Sequence, residues 1–472
     1  MTYPSRRIGI ALLLSALNLT ASPLALDEAI SLLKEQNLEI KAAALDAKNA
    51  HNDVKLSRGY SFGSLDFTQS AIRSNDAGNV FGFKLSSREA NFGDFGFDQF
   101  LAPLGGALMK ANTNTLTLAD LQGMSSILDI QPSKLNYPNA QNYFQSKLTY
   151  VVPLYTGGKL SSYEKIASEM EKIKQLDREK ITDEKIYETR KSYYDMALLD
   201  HSLQQLRVIR KNITTLESMT EQMVKEGYAK KVDLLEVQAK AANVDRMMGE
   251  MEANKKLLYH YLSFLLNQKV TEITPPVDDK AQASITENDV LTTNIDLKKA
   301  SHGLEIRSSM INVASASFLP TVGAFAETST ADNSFLGKLS DHAAYTVGAK
   351  LSWNLFNGGI DNHSLEKARI DQLKTATEVE LAKKGIALGF DKIKTQIESL
   401  DFQIVSLQKE LDLSSAIYAN YEGRYREHLV SMSDVIIKQS QQIEKIINLQ
   451  MVKNQRNERI FALEKLTNGA NQ

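Results

Sequence analysis

The sequence predicts a mostly α-helical fold with a small β part, built twice over within one chain. Three observations carry that prediction. Leu160 to Glu226 holds neither glycine nor proline and is bracketed by Gly157-Gly158 and Gly227. Read as one helix rising ~1.5 Å per residue, it reaches about 100 Å, far more than a compact domain needs. Short stretches of alternating apolar and polar residues precede such rods, and the whole order of features recurs in the second half of the chain.

The N-terminus comes first. Arg6-Arg7 precede an apolar run from Ile8 to Leu19, followed by the small residues Thr20, Ala21 and Ser22. That run is too short for a bilayer-spanning helix and has the layout of a secretory signal peptide. We take residues 1–24 as this segment, with cleavage between about Ala21 and Ala25. No later stretch is long and apolar enough for a spanning helix, so membrane insertion would require strands.

A first repeat is expected over 25–269. Asp27 to about Ser57 reads as helix, with Ala29, Leu32, Leu33, Leu38, Ala42 and Leu45 on one side. Ser61 to Ser70 is a strand. Residues 72–142 read as a long loop, rich in turn signals such as Gly93-Asp94-Phe95-Gly96 and Gly105-Gly106. A second strand follows, in which Phe144, Ser146, Leu148, Tyr150 and Val152 alternate with Gln145, Lys147, Thr149 and Val151.

The turn Pro153-Leu154-Tyr155-Thr156-Gly157-Gly158 launches a helical hairpin over 159–266, which reverses near Gly227 and returns from about Lys231. Its seam is Leu206, Ile209, Ile213, Leu216, Thr220 and Met223, spaced alternately by three and four. Residues 270–290, with Thr274-Pro275-Pro276, form a linker. The second repeat, 291–472, has a helix, two strands and a hairpin over 360–467. Its rod carries the longer seam Ile397, Leu400, Ile404, Leu407, Leu411, Ser414, Tyr418, Tyr421 and Tyr425.

Spacing argues for duplication. Leu355-Phe356-Asn357-Gly358-Gly359 matches Leu154-Tyr155-Thr156-Gly157-Gly158 at an offset of 358 − 157 = 201 residues. The same offset takes Asp233 to Asp434, Leu262 to Leu463 and Asn267 to Asn468. Earlier, Asn37-Leu38-Glu39-Ile40-Lys41 matches Asn294-Ile295-Asp296-Leu297-Lys298 at 294 − 37 = 257. The first copy therefore carries 257 − 201 = 56 extra residues between its strands.

In the second copy the first strand, near Thr321 to Glu327, follows Leu319-Pro320. In the other, Tyr345, Val347, Ala349, Leu351 and Trp353 alternate with Thr346, Gly348, Lys350 and Ser352. One apolar face opposite one polar face suits a barrel strand between lipid and a wet lumen. A soluble sandwich shares that alternation, but four strands interrupted by long helical stretches make a poor sandwich core. Four strands cannot close a membrane barrel, whose minimum is about eight, so copies of the chain must associate. The rods demand the same, because their apolar seams find burial only against further rods.

Composition narrows the function. A formal net charge of -2 leaves no basic surplus for nucleic acid. Cysteine is absent, which removes disulfide, thiolate and lipid-modified-cysteine chemistry. The histidines at 51, 201, 260, 302, 342, 363 and 428 lack metal-ligand spacing, and no phosphate-binding glycine loop occurs. Neither enzyme activity, cofactor nor metal is expected.

In its signal peptide, doubled helix-strand-strand-hairpin plan, glycine-pair turns, Leu319-Pro320, and the tip segments Asp233-Leu234-Leu235-Glu236 and Ser433-Asp434-Val435-Ile436, the chain resembles the TolC family of outer-membrane efflux proteins. The resemblance covers nearly all of the mature chain. It implies a homotrimer in which each chain gives four strands to one membrane β-barrel, continuous with a long α-helical barrel crossing the periplasm of a Gram-negative bacterium. Its partners would be outer-membrane lipid, a periplasmic adaptor (membrane fusion) protein and an inner-membrane pump of RND, ABC or MFS type. It would serve a tripartite efflux pump or a type I secretion system. A periplasmic coiled-coil adaptor or scaffold without a channel is the alternative; it would need one hairpin flanked by small β domains, and this chain has two.

The resemblance also assigns residues. The helix-reversal tips at Gly227 and His428 would form the periplasmic entrance. Gly227 suits a positive φ at a helix end, where His428 meets a steric cost. Asp233, Glu236 and Asp434 would ring the gate, although the family's second acid is here Ile437. Tyr425 would reach a carboxylate such as Glu236. Their plain alternative is structural: acids in a first helical turn and the last member of a tyrosine stripe. Pro153, Gly157, Gly158, Gly358 and Gly359 would make the strand-to-helix turns. Tyr150, Tyr155, Trp353 and Phe356 would form an interfacial girdle.

Overall fold

The computed structural model describes residues 23–276, 285–335, 337–338 and 340–467. The expected signal peptide and the centre of the linker lie outside them, as does Asn468. The chain opens with helices α1 (Leu26–Gln36) and α2 (Leu38–Gly59), then strand β1 (Ser64–Ser74). Four short helices follow: α3 (Ala77–Ser86), α4 (Phe97–Asn112), α5 (Leu118–Ser125) and α6 (Ser133–Asn136). Strand β2 (Gln141–Tyr155) leads into the hairpin α7 (Lys159–Lys225) and α8 (Lys231–Leu266). The second half runs through α9 (Glu287–Thr293), α10 (Ile295–Ser315), β3 (Thr321–Asp332), β4 (Ala344–Ser352), α11 (Ile360–Arg426) and α12 (Met432–Leu466).

Two expectations need correction. Residues 72–142 are not a loop: they carry α3 to α6. α3, α5 and α6 have at most ten residues each, too few to display a clear helical period, Pro103 and Gly105-Gly106 interrupt the pattern of the longer α4, and local polar capping starts two of the segments. Asp76 accepts from the backbone N–H of Asn79 at 3.0 Å, and Thr117 pairs with Asp120 in the same way. Ion pairs Lys84–Asp94, Lys110–Asp120 and Lys134–Asp98 tie the pieces together. The first helix is also broken, at Asn37, where an unbroken one was expected from Asp27 to Ser57.

That break is instructive. The Asn37 side chain accepts from the N–H groups of Glu39 and Ile40, capping α2, and donates to the Leu265 carbonyl at 2.8 Å. Asn294 does the same between α9 and α10, accepting from Asp296 and Leu297 and donating to the Leu466 carbonyl at 3.1 Å. Both amides are buried. Each one closes a helix start and a helix end at once.

The chain divides into two compact units. The first holds the described residues up to 51, 169–305 and those from 373 onward. Its largest core is the expected seam of α7, Leu206 to Met223, packed with Val237, Ala241 and Val244 of α8, Tyr418 and Tyr425 of α11, and Val435, Ile443 and Ile446 of α12. Two smaller cores mirror each other. Leu33, Met196 and Leu262 lie in one, and Val290, Ile397 and Leu463 lie in the other. Here too Leu24 pairs with Ile273 in a parallel bridge, and the Tyr193 hydroxyl donates to its carbonyl at 3.1 Å. A mature chain beginning after Leu24 would lose these bonds.

The second unit holds residues 52–168 and 306–372. Its four strands form one antiparallel sheet in chain order, and no further strand lies beyond β1 or β4 among the described residues. Register sorts the side chains. Leu65, Tyr150, Ala326 and Val347 form one row across the sheet, and Phe67, Leu148, Thr328 and Tyr345 the next. The opposite face carries Asp66, Thr149, Glu327 and Thr346, with Lys147 bridged to Glu327 at 2.6 Å. Tyr345 is 83% exposed and Val347 72%, so the apolar face is bare within one chain.

Replacing Asn294 by alanine leaves the Leu466 carbonyl and the first turn of α10 unsatisfied in a buried place. We expect a loss of ~1–3 kcal/mol, read as a lower midpoint in denaturant, and a similar loss for Asn37→Ala. An unchanged midpoint in both would show that neither pin matters.

Candidate functional site: the helix-reversal tips

The two tips, both in the first unit, use one device. Gly227 takes φ +85°, and the Tyr228 N–H donates back to the Met223 carbonyl at 2.8 Å. At the corresponding place His428 takes φ +61°, and the Leu429 N–H donates to the Arg424 carbonyl at 2.9 Å. This left-handed closure satisfies carbonyls that the ending helix leaves open. The rings of Tyr228 and His428 meet at 5.2 Å between centroids, joining the tips.

Each returning helix then starts on an acid. The Asp434 carboxylate accepts from the Ser431 hydroxyl at 2.6 Å and its backbone N–H at 3.2 Å, while Ser431 Oγ accepts from the Asp434 N–H. That is a complete capping box. Asp233 makes half of one, accepting from the Lys230 N–H at 2.8 Å. Asp434 is exposed, and Asp233 and Glu236 are half-buried. The Ser431 hydroxyl, then its backbone N–H, hold the Asp434 carboxyl below its ordinary value.

Tyr425 is only 4% exposed and belongs to the core. Its hydroxyl lies 3.4 Å from Thr220 Oγ1 rather than against Glu236. Thr220 gives its own proton to the Leu216 carbonyl at 2.8 Å, so Tyr425 is the donor of that pair. Burial raises the Tyr425 phenol and pushes Tyr418 up to about 12. Tyr418 in turn accepts from the Gln439 amide at 3.3 Å, and Lys240 donates to Ser440 at 2.7 Å. Thr220 lies on the expected seam, but its pairing with Tyr425 was not foreseen, and Gln439, Lys240 and Ser431 were missed because pattern reading counts apolar residues. Ser431 alone had a sequence signal, the S-x-x-D spacing to Asp434.

In the second unit the strand-to-helix turns are glycine turns. Gly157, Gly158, Gly358 and Gly359 all have positive φ, between +63° and +86°. A Cβ at Gly157 would come within 3.0 Å of both the Ala316 carbonyl and the Leu319 side chain. Pro153 borders a register shift against β3, where a missing N–H is tolerated. Tyr150 donates to the Phe62 carbonyl at 2.8 Å and Trp353 to the Phe318 carbonyl at 3.1 Å. Tyr155 and Phe356 are exposed at the same strand ends. Among the described residues, no group of three or more His, Asp or Glu side chains is placed to hold a metal ion.

Residues 287–469 match the family model described as outer membrane efflux protein. Nearly all of the chain superposes on solved outer-membrane proteins. CusC, whose structures concern folding and transmembrane channel formation, is 15% identical with a TM-score of 0.75, over 94% of this chain and 91% of that one. The Campylobacter jejuni CmeC outer membrane channel is 14% identical with a TM-score of 0.72, over 99% and 94%. VceC of Vibrio cholerae is 13% identical with a TM-score of 0.73, over 94% and 96%. No curated protein matches by sequence search. Residues 287–469 match that family model, and most of the chain shares the fold of these solved channels.

Two outcomes follow at the tips. Gly227→Ala places a Cβ in the left-handed region, and we expect a loss of ~1–2 kcal/mol in stability, with no such loss for His428→Gly. Equal losses from both would remove the closure argument. For Asp434, a depressed folded value means that the capping contribution is full above the unfolded value and fades as pH falls through the folded one. Amide protection at the start of α12 should therefore hold from pH 7 to about 4 and drop only below that. A drop between pH 7 and 5 would contradict it.

Proposed function

We propose that the chain is the exit duct of a tripartite efflux pump or type I secretion system in a Gram-negative outer membrane. Three copies, the number the resemblance implies, would close a twelve-stranded barrel, comfortably above the minimum of about eight. The observation that carries this reading is the sheet: one bare apolar face, one polar face, and outer edges without a partner strand among the described residues. Such edges are tolerated in hydrocarbon only when another chain pairs with them.

The helices support the same closure. The seam of α11 that packs inside the chain is accompanied by a second row, Leu381, Leu388, Phe402, Val405 and Leu413, all exposed. Exposed apolar residues along one side of a water-facing rod are suited to a neighbouring rod. The fold's paired equivalents, Asn37 with Asn294 and Gly227 with His428, are what a duplicated unit would retain. The duct couples no energy; an inner-membrane pump of RND, ABC or MFS type and a periplasmic adaptor would supply the drive and the docking.

At its periplasmic end the tips form the gate. Asp233, Glu236 and Asp434, repeated about the threefold axis, would draw cations into a narrow entrance. Tyr425 holds α11 to α7 through Thr220 and so resists splaying of the hairpins. Tyr150, Tyr155, Trp353 and Phe356 mark the inner lipid interface.

Membrane extraction and reconstitution test the reading together. The protein should stay with outer membranes through a carbonate wash, crosslink as a trimer in detergent and pass ions in planar bilayers. A monomer released by carbonate, as expected of an adaptor or scaffold, would end the proposal.

A further inference from the structure

The insert between β1 and β2 folds back onto one particular face of the sheet. Phe83 of α3 stacks on Tyr143 at 4.1 Å between centroids, with planes 13° apart. Tyr143 lies four residues before Lys147 and six before Thr149 on β2, so it shares their polar face. Ala331, opposite Gln145 and on that face, is buried, as are Tyr143 and Val80 of α3. Towards the other end of the strands, Lys147, Thr149 and Glu327 of the polar face are half-buried.

A second anchor lies beside the first. His342, in the β3–β4 connection, is buried with Nδ1 3.2 Å from Asp332 Oδ2 and 3.2 Å from the Ala331 carbonyl. Its Nε2 lies 3.6 Å from Glu89, which follows α3. A cavity of about 220 Å³ remains between insert and sheet, lined among others by Lys84, Asp94, Tyr143 and Asp332.

We infer that this insert is a built-in constriction of the outer mouth, seated on the pore face of its own strands and limiting the size of what leaves. The inference rests on the proposed barrel, in which the polar face is the lumen and the ends of β1 and β2 away from the glycine turns are outermost. In such a barrel, mass added to the polar face narrows the passage, whereas mass on the apolar face would displace lipid. The ring stack and the histidine anchor make the seat specific. The wide exposure of apolar side chains on α4, such as Leu101, Leu108 and Met109, leaves the insert's remaining surface able to fill the mouth further.

The chain's lack of cysteine makes the test clean. A single cysteine at Thr149→Cys, on the polar face, is labelled from outside intact cells with a bulky membrane-impermeant maleimide. With the native seat, labelling should be slow. It should become severalfold faster when Phe83→Ala and Tyr143→Ala are added, while Leu148→Cys on the apolar face stays unlabelled in both backgrounds. Single-channel conductance of the purified protein should rise with the same pair of alanines. Equal labelling and equal conductance, in a protein that still forms conducting channels, would overturn the constriction and leave the duct standing. Labelling of Leu148→Cys in place of Thr149→Cys would overturn the assignment of faces and both readings with it.

Discussion

Unpaired backbone at a sheet edge is the constraint on which the rest depends. β1 and β4 each present a row of N–H and C=O groups that no described strand of the chain meets, and the sheet between them is bare and apolar on one side. In water such edges invite aggregation; in hydrocarbon each unmet group costs several kcal/mol. A four-stranded sheet of this kind is suited to serve as a sector of something closed, as the proposed barrel would be. The exposed second row on α11 sets the same condition for the helices, through apolar area rather than hydrogen bonds.

Within one chain, stability is concentrated where helices end. Long helices need few special residues along their length, but every end leaves four backbone groups open. Asn37 and Asn294 each serve a start and an end together, and the tips close with left-handed residues followed by acids that cap the next helix. The same acids are those proposed for the entrance ring, so charge at the gate and helix capping draw on one set of carboxylates. Asp434, engaged with Ser431 yet exposed to solvent, is compatible with both uses.

How much was legible varied with the kind of signal. The seam of α7 and the alternation of β2 and β4 were readable because burial repeats at the period of the element. The turns at Gly157-Gly158 and Gly358-Gly359 were readable because only glycine takes those angles freely. The insert was not: three of its helices are too short for a period, α4 is interrupted by Pro103 and Gly105-Gly106, and their exposed leucines and phenylalanines look like loop composition. The Tyr425 partner was misassigned to Glu236 because a stripe on one helix says nothing about what faces it. Thr220 does so through a helix 205 residues earlier in sequence.

By itself, then, the sequence determined the class of the molecule: long helices, amphipathic strands, and two spacings that point to a doubled unit, all set by periodicity and by residues with restricted backbone angles. Tertiary structure decided which side chains meet. It chose Thr220 for Tyr425, the Leu265 and Leu466 carbonyls for the two asparagines, and Tyr143 for Phe83. Those choices join segments far apart along the chain, and local pattern carries no information about them; only the folded path of the backbone brings the partners within bonding distance.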